Sequence, residues 1–380
     1  MLLAREVADA GAGPVTAMAR RFAAAALACI GWACGVAAQV PAGYPASYQQ
    51  LVSAANREGK LVVYSVTSSV PALLQDFRSL YPGIELEYVA LDTGPLYDRV
   101  LGESAAGSTA DVVWSSAMDL QMKLVADGHA ARYDSPEAAN IPGWALWRNE
   151  AFGSTFEPVG FVYNKDQIAP HEVPRTRAEL MKLAKESPAR FDNRITAFDP
   201  EKSGLGYLLL TQDAQAAPAG QFWELAATLG SMHVYRGTGS GAQFERLAKG
   251  ESVLGYDLLL SYATGRIRKD LPNLGVVLPL DHTLVVTRVM FISRHARHPH
   301  AARLWVDYLL SKRGQQQLAA ADLGSLRRDV DDAFTPAALQ QRLGDAVKPI
   351  AVGPALVTSL EASRRRDFIE RWNAAIGTPR

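Results

Sequence analysis

Four short segments rich in serine, threonine and glycine combine hydroxyl groups with backbone amides at the expected starts of helices. The first follows a predicted strand at 61–66, the second follows one at 110–114, and the other two precede predicted helices at 205–210 and 244–248. Hydroxyl donors beside the free N–H groups of a helix N-terminus suit a carboxylate or a phosphate. The segments therefore predict a site for a small anion, with the candidate ligand-binding residues Ser65, Thr67, Ser68, Ser115, Ser116, Ser203, Gly204, Thr238, Gly239 and Ser240.

Each segment also has a purely structural explanation, because serine, threonine and glycine are preferred helix N-caps whether or not a ligand binds. For any single segment that explanation is the commoner one. Four segments change the balance, since the carboxyl ends of strands in an open parallel sheet lie at one edge, where ligands bind. If the segments belong to two lobes, two sets of donors would face one cleft and enclose an anion between them.

Other polar residues at strand ends are weaker candidates. Tyr256 and Asp257 end a predicted strand, so they could place an aromatic ring and a carboxylate in the cleft, and we include both in the candidate site. The alternative is that Tyr256 caps a core strand. Trp114 has the same two interpretations, while Arg236 and Arg288 could each bind an oxyanion through two nitrogens or lie at the surface.

The same residues do not assemble into a catalytic motif. In Gly-Thr-Gly-Ser-Gly at 237–241 the serine is fourth and not central as in a nucleophile elbow, and no Lys-Ser or Lys-Thr pair follows as in a P-loop. His295, His298 and His300 could hold a metal, but they fall in an arginine-rich turn that favours solvated cationic side chains. We therefore expect neither an enzyme nor a bound cofactor or metal.

The N-terminal residues have the composition of a secretory signal peptide over 1–38. An Arg-Arg pair precedes a small and apolar run at 22–38, which ends in Val-Ala-Ala, so cleavage is expected to leave a mature chain that starts near Gln39. The run is short for a membrane anchor. Both cysteines, Cys29 and Cys34, lie within it, so the mature protein would have no thiol. The expected location is the periplasm.

Composition limits the partners. The chain has 380 residues, of which 48% are apolar and 21% charged, enough to bury a large core. Lysine plus arginine equals aspartate plus glutamate at 39 each, so no net basic field is available for nucleic acid or for an anionic membrane surface. An anion would have to be bound by local contacts, and we expect a monomer.

Short apolar runs alternate with helical periods, which predicts an α/β fold with mostly parallel sheets. Helices are expected to end at Gly59, to begin at Pro71 and at Pro299, and to begin after the capping residues Thr176 and Glu179. The predicted strands lie at 61–66, 84–89, 110–114, 161–164, 195–198, 232–235, 253–256, 274–278 and 289–293.

No low-complexity linker divides the chain, so the two lobes are expected to be joined by crossing strands. The crossings are predicted near 158–161 and 281–287. The first lobe would then comprise 39–158 and 285–330, and the second lobe 159–284. Residues 331–380 form a predicted helical tail that we assign to neither lobe.

Several stretches, taken in order, resemble the periplasmic binding proteins of the ferric-iron, phosphonate and sugar-phosphate group of ABC importers. The resemblance covers about residues 48–322. It implies two α/β lobes of the type II periplasmic-binding-protein fold, hinged by crossing strands, that close on a small ligand and present it to an inner-membrane ABC permease. The stretches are Leu-Val-Val-Tyr-Ser at 61–65, Phe-Arg-Ser-Leu-Tyr-Pro-Gly-Ile at 77–84, Ala-Asp-Val-Val-Trp-Ser-Ser at 110–116, Gly-Phe-Val-Tyr-Asn-Lys at 160–165, Asp-Pro-Glu-Lys-Ser-Gly-Leu-Gly-Tyr at 199–207, and Ala-Ala-Arg-Leu-Trp-Val-Asp-Tyr-Leu-Leu-Ser at 301–311.

The resemblance leaves the ligand open. Iron-binding members use a pair of adjacent tyrosines in the second lobe, whereas Tyr256 and Tyr262 of this chain are separated. We therefore expect a small anionic organic solute, namely a phosphate ester, a phosphonate or a carboxylate. The alternatives are ferric iron bound through scattered tyrosines such as Tyr64 and Tyr256, a solute sensor that reports to a membrane kinase, and, least favoured, a secreted hydrolase.

Overall fold

The computed structural model describes residue 40, residues 43–68 and residues 70–377. The predicted signal peptide at 1–38 lies outside the described residues. The strands, in chain order, are β1 (Lys60–Ser65), β2 (Glu85–Ala90), β3 (Val112–Ser115), β4 (Ala130–Ala131), β5 (Leu146–Trp147), β6 (Ala151–Gly153), β7 (Glu157–Asn164), β8 (Ile195–Phe198), β9 (Tyr235–Gly237), β10 (Leu254–Leu259), β11 (Leu274–Val277), β12 (Thr283–Val286), β13 (Val289–Ser293) and β14 (Val347–Pro349).

The α-helices are α1 (Tyr48–Glu58), α2 (Pro71–Leu80), α3 (Thr93–Ala105), α4 (Met118–Ala126), α5 (Arg177–Glu186), α6 (Pro188–Phe191), α7 (Gly204–Ala216), α8 (Gln221–Ser231), α9 (Ser240–Ala248), α10 (Leu260–Lys269), α11 (Pro299–Leu310), α12 (Lys312–Ala320), α13 (Pro336–Leu343), α14 (Ala355–Thr358) and α15 (Ala362–Ile376). Short 3₁₀ turns lie at Ala138–Asn140, Gly143–Ala145 and Gly344–Ala346.

The strands form two sheets. The first has the order β2-β1-β3-β13-β6-β5, with β4 paired to β13, and the second has the order β14-β12-β7-β10-β8-β9, with β11 paired to β7. We call the first sheet with α1–α4, α11 and α12 the first lobe, and the second sheet with α5–α10 the second lobe. The predicted α/β class, with two sheets flanked by helices, is confirmed.

Both sheets are mixed, which corrects the expectation that they are mostly parallel. β1, β2 and β3 pair in parallel, as do β8, β9 and β10. In the first lobe β13 runs antiparallel to β3, and in the second lobe β7 runs antiparallel to β10, β11 and β12. The reversed strands are those that follow a passage between the sheets, because the chain enters each sheet from the opposite end there.

Before its C-terminal segment, the chain passes between the sheets twice, from β6 to β7 and from β12 back to β13. Both passages are short, since only three residues separate β6 from β7 and two separate β12 from β13. The predicted lobe boundaries at 158/159 and 284/285 fall within β7 and β12 and stay predictions. Short crossings of this kind are typical of two lobes that move as rigid bodies about a hinge.

The predicted helix boundaries follow from local chemistry. Gly59 ends α1 with φ of 67°, a left-handed conformation that glycine adopts without a Cβ clash. Pro71 and Pro299 occupy the first turns of α2 and α11, where a missing N–H costs nothing. Thr176 caps α5 by accepting a hydrogen bond from the Glu179 N–H. These elements place the strand ends that form the site.

The C-terminal segment contacts both lobes. β14 extends the second sheet beside β12, α15 packs on α8 of the second lobe, and α14 packs on α4 of the first lobe. Residues 331–376 are therefore a helical tail with one strand, and this tail bridges the lobes.

Candidate functional site

A cavity of about 770 Å³ lies between the two lobes. Its wall in the first lobe consists of the segments that follow β1, β2 and β3, including Thr67 and Ser116. Its wall in the second lobe consists of the segments that follow β8 and β9 and of the end of β10. The carboxyl ends of all six parallel strands thus meet at one cleft, which is where open α/β sheets bind ligands.

The structure brings eight of the twelve predicted site residues to this cavity. They come from both lobes: Thr67, Ser68, Ser116, Ser203, Gly204, Thr238, Gly239 and Ser240. Ser65 and Ser115 are buried behind them, where their hydroxyls accept hydrogen bonds from the backbone amides of Thr67 at 3.0 Å and of Ala117 at 3.1 Å. These two serines fix the turns that carry the cavity-lining residues.

Helix N-termini open onto the same space. α3 begins at Thr93, α7 at Gly204 and α9 at Ser240, and all three residues line the cavity. The Ser203 hydroxyl accepts a hydrogen bond from the Gly206 N–H at 3.1 Å, which caps α7. The first-turn amides of these helices give the cleft a positive potential.

The two walls touch. A Cβ placed on Gly204 would lie 3.3 Å from the Thr93 Cγ2 of α3 and 3.7 Å from the Leu120 Cδ1 of α4. The N-terminus of α7 in the second lobe therefore packs directly on two helices of the first lobe. The two lobes are therefore in direct contact across the cleft.

Tyr256 and Asp257 lie away from the cavity, contrary to expectation. Both are buried in the second lobe, in a charge cluster centred on Arg177. The Arg177 Nη2 lies 2.6 Å from Asp213 Oδ1 and 3.4 Å from Asp257 Oδ1, and Tyr256 donates its hydroxyl hydrogen bond to Asp213. A buried arginine needs such acceptors, so the cluster holds the two residues inside.

Asp257 has a left-handed backbone conformation, and its carboxyl group is only partly hydrogen-bonded. It lies in a bulge of β10 with φ of 52°, and among the described residues its Oδ2 has no hydrogen-bond partner. Burial and the nearby Asp213 carboxylate raise the pKa of Asp257 well above its usual range, although Arg177 opposes the change. Burial thus favours the neutral form of this carboxyl, and its position away from the cavity keeps it from contacting a ligand there.

Three cationic side chains line the cleft: Lys202, Arg288 and Arg365. Arg288 is buried at the passage between β12 and β13, and its Nη1 donates to the Thr67 hydroxyl at 2.8 Å. The acidic lining residues, Asp92 and Glu201, are exposed at the rim. Arg365, which sequence reasoning missed, belongs to the C-terminal tail.

The remaining weak candidates have structural partners. Arg236 donates to Asn373 Oδ1 at 2.9 Å, and the buried Trp114 donates its indole N–H to the Ser154 hydroxyl at 2.8 Å. His298 contacts Asp111, whereas His300 contacts Glu58. The two histidines therefore bind different carboxylates and do not converge on one point. Among the described residues, no group of three acidic, histidine or cysteine side chains is arranged to hold a metal ion.

The tyrosines of the iron hypothesis are also engaged elsewhere. Tyr64 donates its hydroxyl to Glu103 Oε1 at 3.1 Å, and Tyr256 belongs to the buried cluster. Among the described residues, Tyr262 is the one tyrosine that lines the cleft. A ferric ion prefers several anionic oxygens at close quarters, and the interior of this cleft offers hydroxyls, amides and arginines.

A second cavity, of about 630 Å³, lies in the first lobe near the start of the described chain. Its polar wall is internally paired, since Glu137 accepts hydrogen bonds from Tyr44 at 2.5 Å and from Arg327 at 2.6 Å. Its lining residues lie before and within the first lobe and in the segment up to Asp329, so closure of the lobes would not enclose it. The cleft between the lobes is the better candidate site.

Comparisons with known proteins agree with this geometry. The model of the family described as bacterial extracellular solute-binding protein matches residues 65–316. The crystal structure of the substrate binding protein of the ABC transporter from Agrobacterium tumefaciens is 35% identical, with a TM-score of 0.78 over 84% of this chain and 94% of that chain. The chain belongs to the bacterial extracellular solute-binding protein family.

More distant structures share the fold with different ligands. The periplasmic binding protein AfuA from Actinobacillus pleuropneumoniae, with fructose-6-phosphate bound, is 19% identical, with a TM-score of 0.66 over 84% of this chain and 98% of that chain. Iron-bound HitA from Pseudomonas aeruginosa is 18% identical, with a TM-score of 0.64 over 83% of this chain and 99% of that chain. At these identities the likeness establishes the type II periplasmic-binding fold alone.

The family membership fixes the general role. The protein is an extracellular substrate-binding protein of the ABC-transporter type, and proteins of this family deliver their solute to a membrane permease. The family is a class of transport proteins and not of enzymes. Within the described residues, no helix combines the length and hydropathy needed to cross a membrane.

Proposed function

We propose that the cleft binds a small organic anion that carries a phosphate ester, phosphonate or carboxylate group. The observation that carries the proposal is the convergence, on one cavity between two lobes, of hydroxyls, helix N-terminal amides and arginine side chains. Ionised carboxylates and phosphates accept hydrogen bonds, and every one of these groups is a donor.

The distribution of charge supports an anion over a cation or a neutral sugar. Arg365 is half-buried in the cavity wall, whereas Asp92 and Glu201 are exposed at the rim. The buried Arg288 adds hydrogen-bond donors, while Glu157 balances its charge. Solvent screens the rim carboxylates far more than it screens buried charge. The interior of the cleft is therefore more favourable to negative charge than a simple count of cationic and acidic lining residues indicates.

The size of the cavity supports an organic solute. Small-molecule sites commonly enclose about 300–1,000 Å³, and the cleft has about 770 Å³. Apolar side chains, including Leu120, Phe198 and Leu259, line part of it and would contact the carbon skeleton. Inorganic phosphate alone would leave most of this space to water.

A thermal-shift and calorimetry panel on the chain from residue 39 onward tests the proposal. The ligands are fructose 6-phosphate, 2-aminoethylphosphonate, citrate and ferric citrate, with fructose as the neutral control. We expect an organic anion to stabilise the protein by about 2.7 kcal/mol at a hundred times its dissociation constant. Stabilisation by fructose alone, or a visible charge-transfer band with ferric citrate alone, would overturn the proposal.

A substitution locates the binding in the cleft. Thr238→Trp places a large ring in the cavity from the exposed edge of the second lobe, so it should abolish the stabilisation by the anion. Ser79→Trp, on the exposed face of α2 outside the cavity, is the matched control and should leave it unchanged. The expected monomeric state stays a prediction, which light scattering of the free and bound protein tests.

A further inference from the structure

The C-terminal helix α15 is held against the second lobe by one face. Phe368 and Trp372 lie on that face, four residues apart, and Trp372 is buried. The Trp372 ring lies 6.0 Å from that of Phe222 on α8, and the Phe368 ring lies 5.7 Å from that of Tyr207 on α7. The helix therefore has a fixed rotation about its axis.

Arg365 lies one turn before Phe368 on the same face. This spacing directs its side chain toward α7, where its guanidinium carbon lies 4.4 Å from the centre of the Tyr207 ring. The Tyr207 ring is itself fixed, since it is buried and its hydroxyl donates a hydrogen bond to the Ser359 carbonyl oxygen. The guanidinium thus reaches the cavity on a rigid support.

The charge of Arg365 is available for a ligand. Within the described part of the chain it forms no ion pair, whereas the adjacent Arg364 pairs with Glu361 at 3.0 Å. The other buried cation of the cavity, Arg288, is already bound to Glu157 and Thr67. Among the described lining residues, Arg365 is therefore the half-buried cation that lacks a carboxylate partner.

Arg365 also acts electrostatically across the cleft. Asp119 belongs to α4 of the first lobe and is fully buried, and burial raises the pKa of its carboxyl to about 6, while hydrogen bonds from the backbone and the charge of Arg365 oppose the rise. The guanidinium of the tail is thus close enough to the first lobe to interact with it.

We propose that Arg365 is a specificity-determining residue of the cleft, which binds the acid group of the solute through its guanidinium. The inference rests on the proposed function and adds a third element, the C-terminal tail, to the two walls. The planar guanidinium can form two parallel hydrogen bonds with a carboxylate or phosphate, and its stacking on Tyr207 keeps it in place for them. Solutes without an acid group would gain nothing from it.

Calorimetry with Arg365→Gln, Arg365→Lys and Arg364→Gln tests the assignment. The probes are the anion of the panel above that stabilises the wild-type protein most and its neutral analogue, fructose in the case of fructose 6-phosphate. We expect Arg365→Gln to weaken binding of the anion by roughly 10- to 100-fold, the range for a hydrogen bond to a charged group. Arg365→Lys should recover part of this loss, and Arg364→Gln should stay within about twofold of the wild type.

The outcomes separate the two proposals. If the wild-type protein binds none of the anions, the proposed function fails and the role of Arg365 fails with it. If the wild-type protein binds an anion and Arg365→Gln binds it equally well, only the role of Arg365 is wrong. Melting curves without ligand identify a merely structural effect. If Arg365→Gln loses binding while its melting temperature is unchanged, the assignment is supported. If Arg365→Lys and Arg365→Gln lose binding equally and both melt at lower temperatures, the assignment is contradicted.

Discussion

The guanidinium of Arg288 forms two hydrogen bonds with the carboxylate of Glu157, from Nε to Oε1 at 2.8 Å and from Nη2 to Oε2 at 3.0 Å. Glu157 begins β7 and Arg288 is the second residue of the return passage from β12 to β13, so the pair joins the two crossings of the chain. The third nitrogen of Arg288 donates to Thr67 in the cleft. The hinge and the binding site therefore share one side chain.

We expect Arg288→Met to destabilise the protein by about 3–5 kcal/mol, because it leaves the fully buried Glu157 without its counter-charge. Urea unfolding followed by circular dichroism measures the change. Arg364→Met is the control, since its ion pair with Glu361 is exposed and should be worth less than about 1 kcal/mol. In the double variant Glu157→Gln with Arg288→Met the loss should be smaller than in Arg288→Met alone, and an equal or larger loss would refute the ion-pair explanation.

Gly204→Leu should block closure of the lobes. The added side chain would meet Thr93 and Leu120 of the first lobe, while each lobe would keep its own core. We expect at least roughly tenfold weaker binding of the best anion of the panel, measured by calorimetry, with an unchanged unfolding transition. Small-angle scattering should show no contraction on addition of the anion. Gly102→Ala on α3, where an added Cβ meets nothing within 4 Å, serves as the control, and wild-type affinity in Gly204→Leu would contradict the closed contact.

Asp257→Asn should stabilise the protein increasingly as the pH rises. The pKa of Asp257 is raised in the folded state. Its carboxyl therefore contributes most to the free energy of unfolding below its unfolded-state pKa of about 3.9, and it loses that contribution as the pH rises toward its folded-state pKa. Asparagine needs no proton and tolerates the positive φ of this position. The difference in unfolding free energy between variant and wild type should therefore grow from pH 4 to pH 8, by up to about 1.4 kcal/mol per unit. Asp98→Asn, an exposed change on α3, is the control, and a difference that shrinks with pH would refute the buried neutral acid.

Much of the fold was predictable because its signals are local. Proline at the start of α2 and α11, Gly59 at the end of α1 and the capping pair of α5 identify helix boundaries within a few residues of sequence. The nine predicted strands correspond to β1, β2, β3, β7, β8, β9, β10, β11 and β13, with β9 displaced to Tyr235–Gly237. The prediction missed β4, β5, β6, β12 and β14, because strands of two to four residues have no periodic signal of their own.

The candidate site was predictable where it consists of strand ends and helix starts. The segments that follow parallel strands lie at the carboxyl edge of the sheet, so their position follows from the order of strands and helices. Four of the cavity-lining residues belong to such segments: Thr67, Ser116, Ser203 and Thr238. Tyr256 was misplaced, since a polar pair at a strand end looks the same whether it faces a cleft or the buried Arg177 cluster. Arg365 gave no signal, because one arginine in an arginine-rich helix is distinguished only by the partner on which it packs.

The late position of β13 and β14 in the chain has a consequence for biosynthesis. β13 lies between β3 and β6 in the middle of the first sheet, and β14 and α15 complete the second lobe. A growing polypeptide that ends at residue 280 therefore lacks the strand that joins β3 to β6 in the first sheet, and it lacks β12 and β14 of the second sheet. Both lobes therefore need residues beyond 280 to complete their sheets.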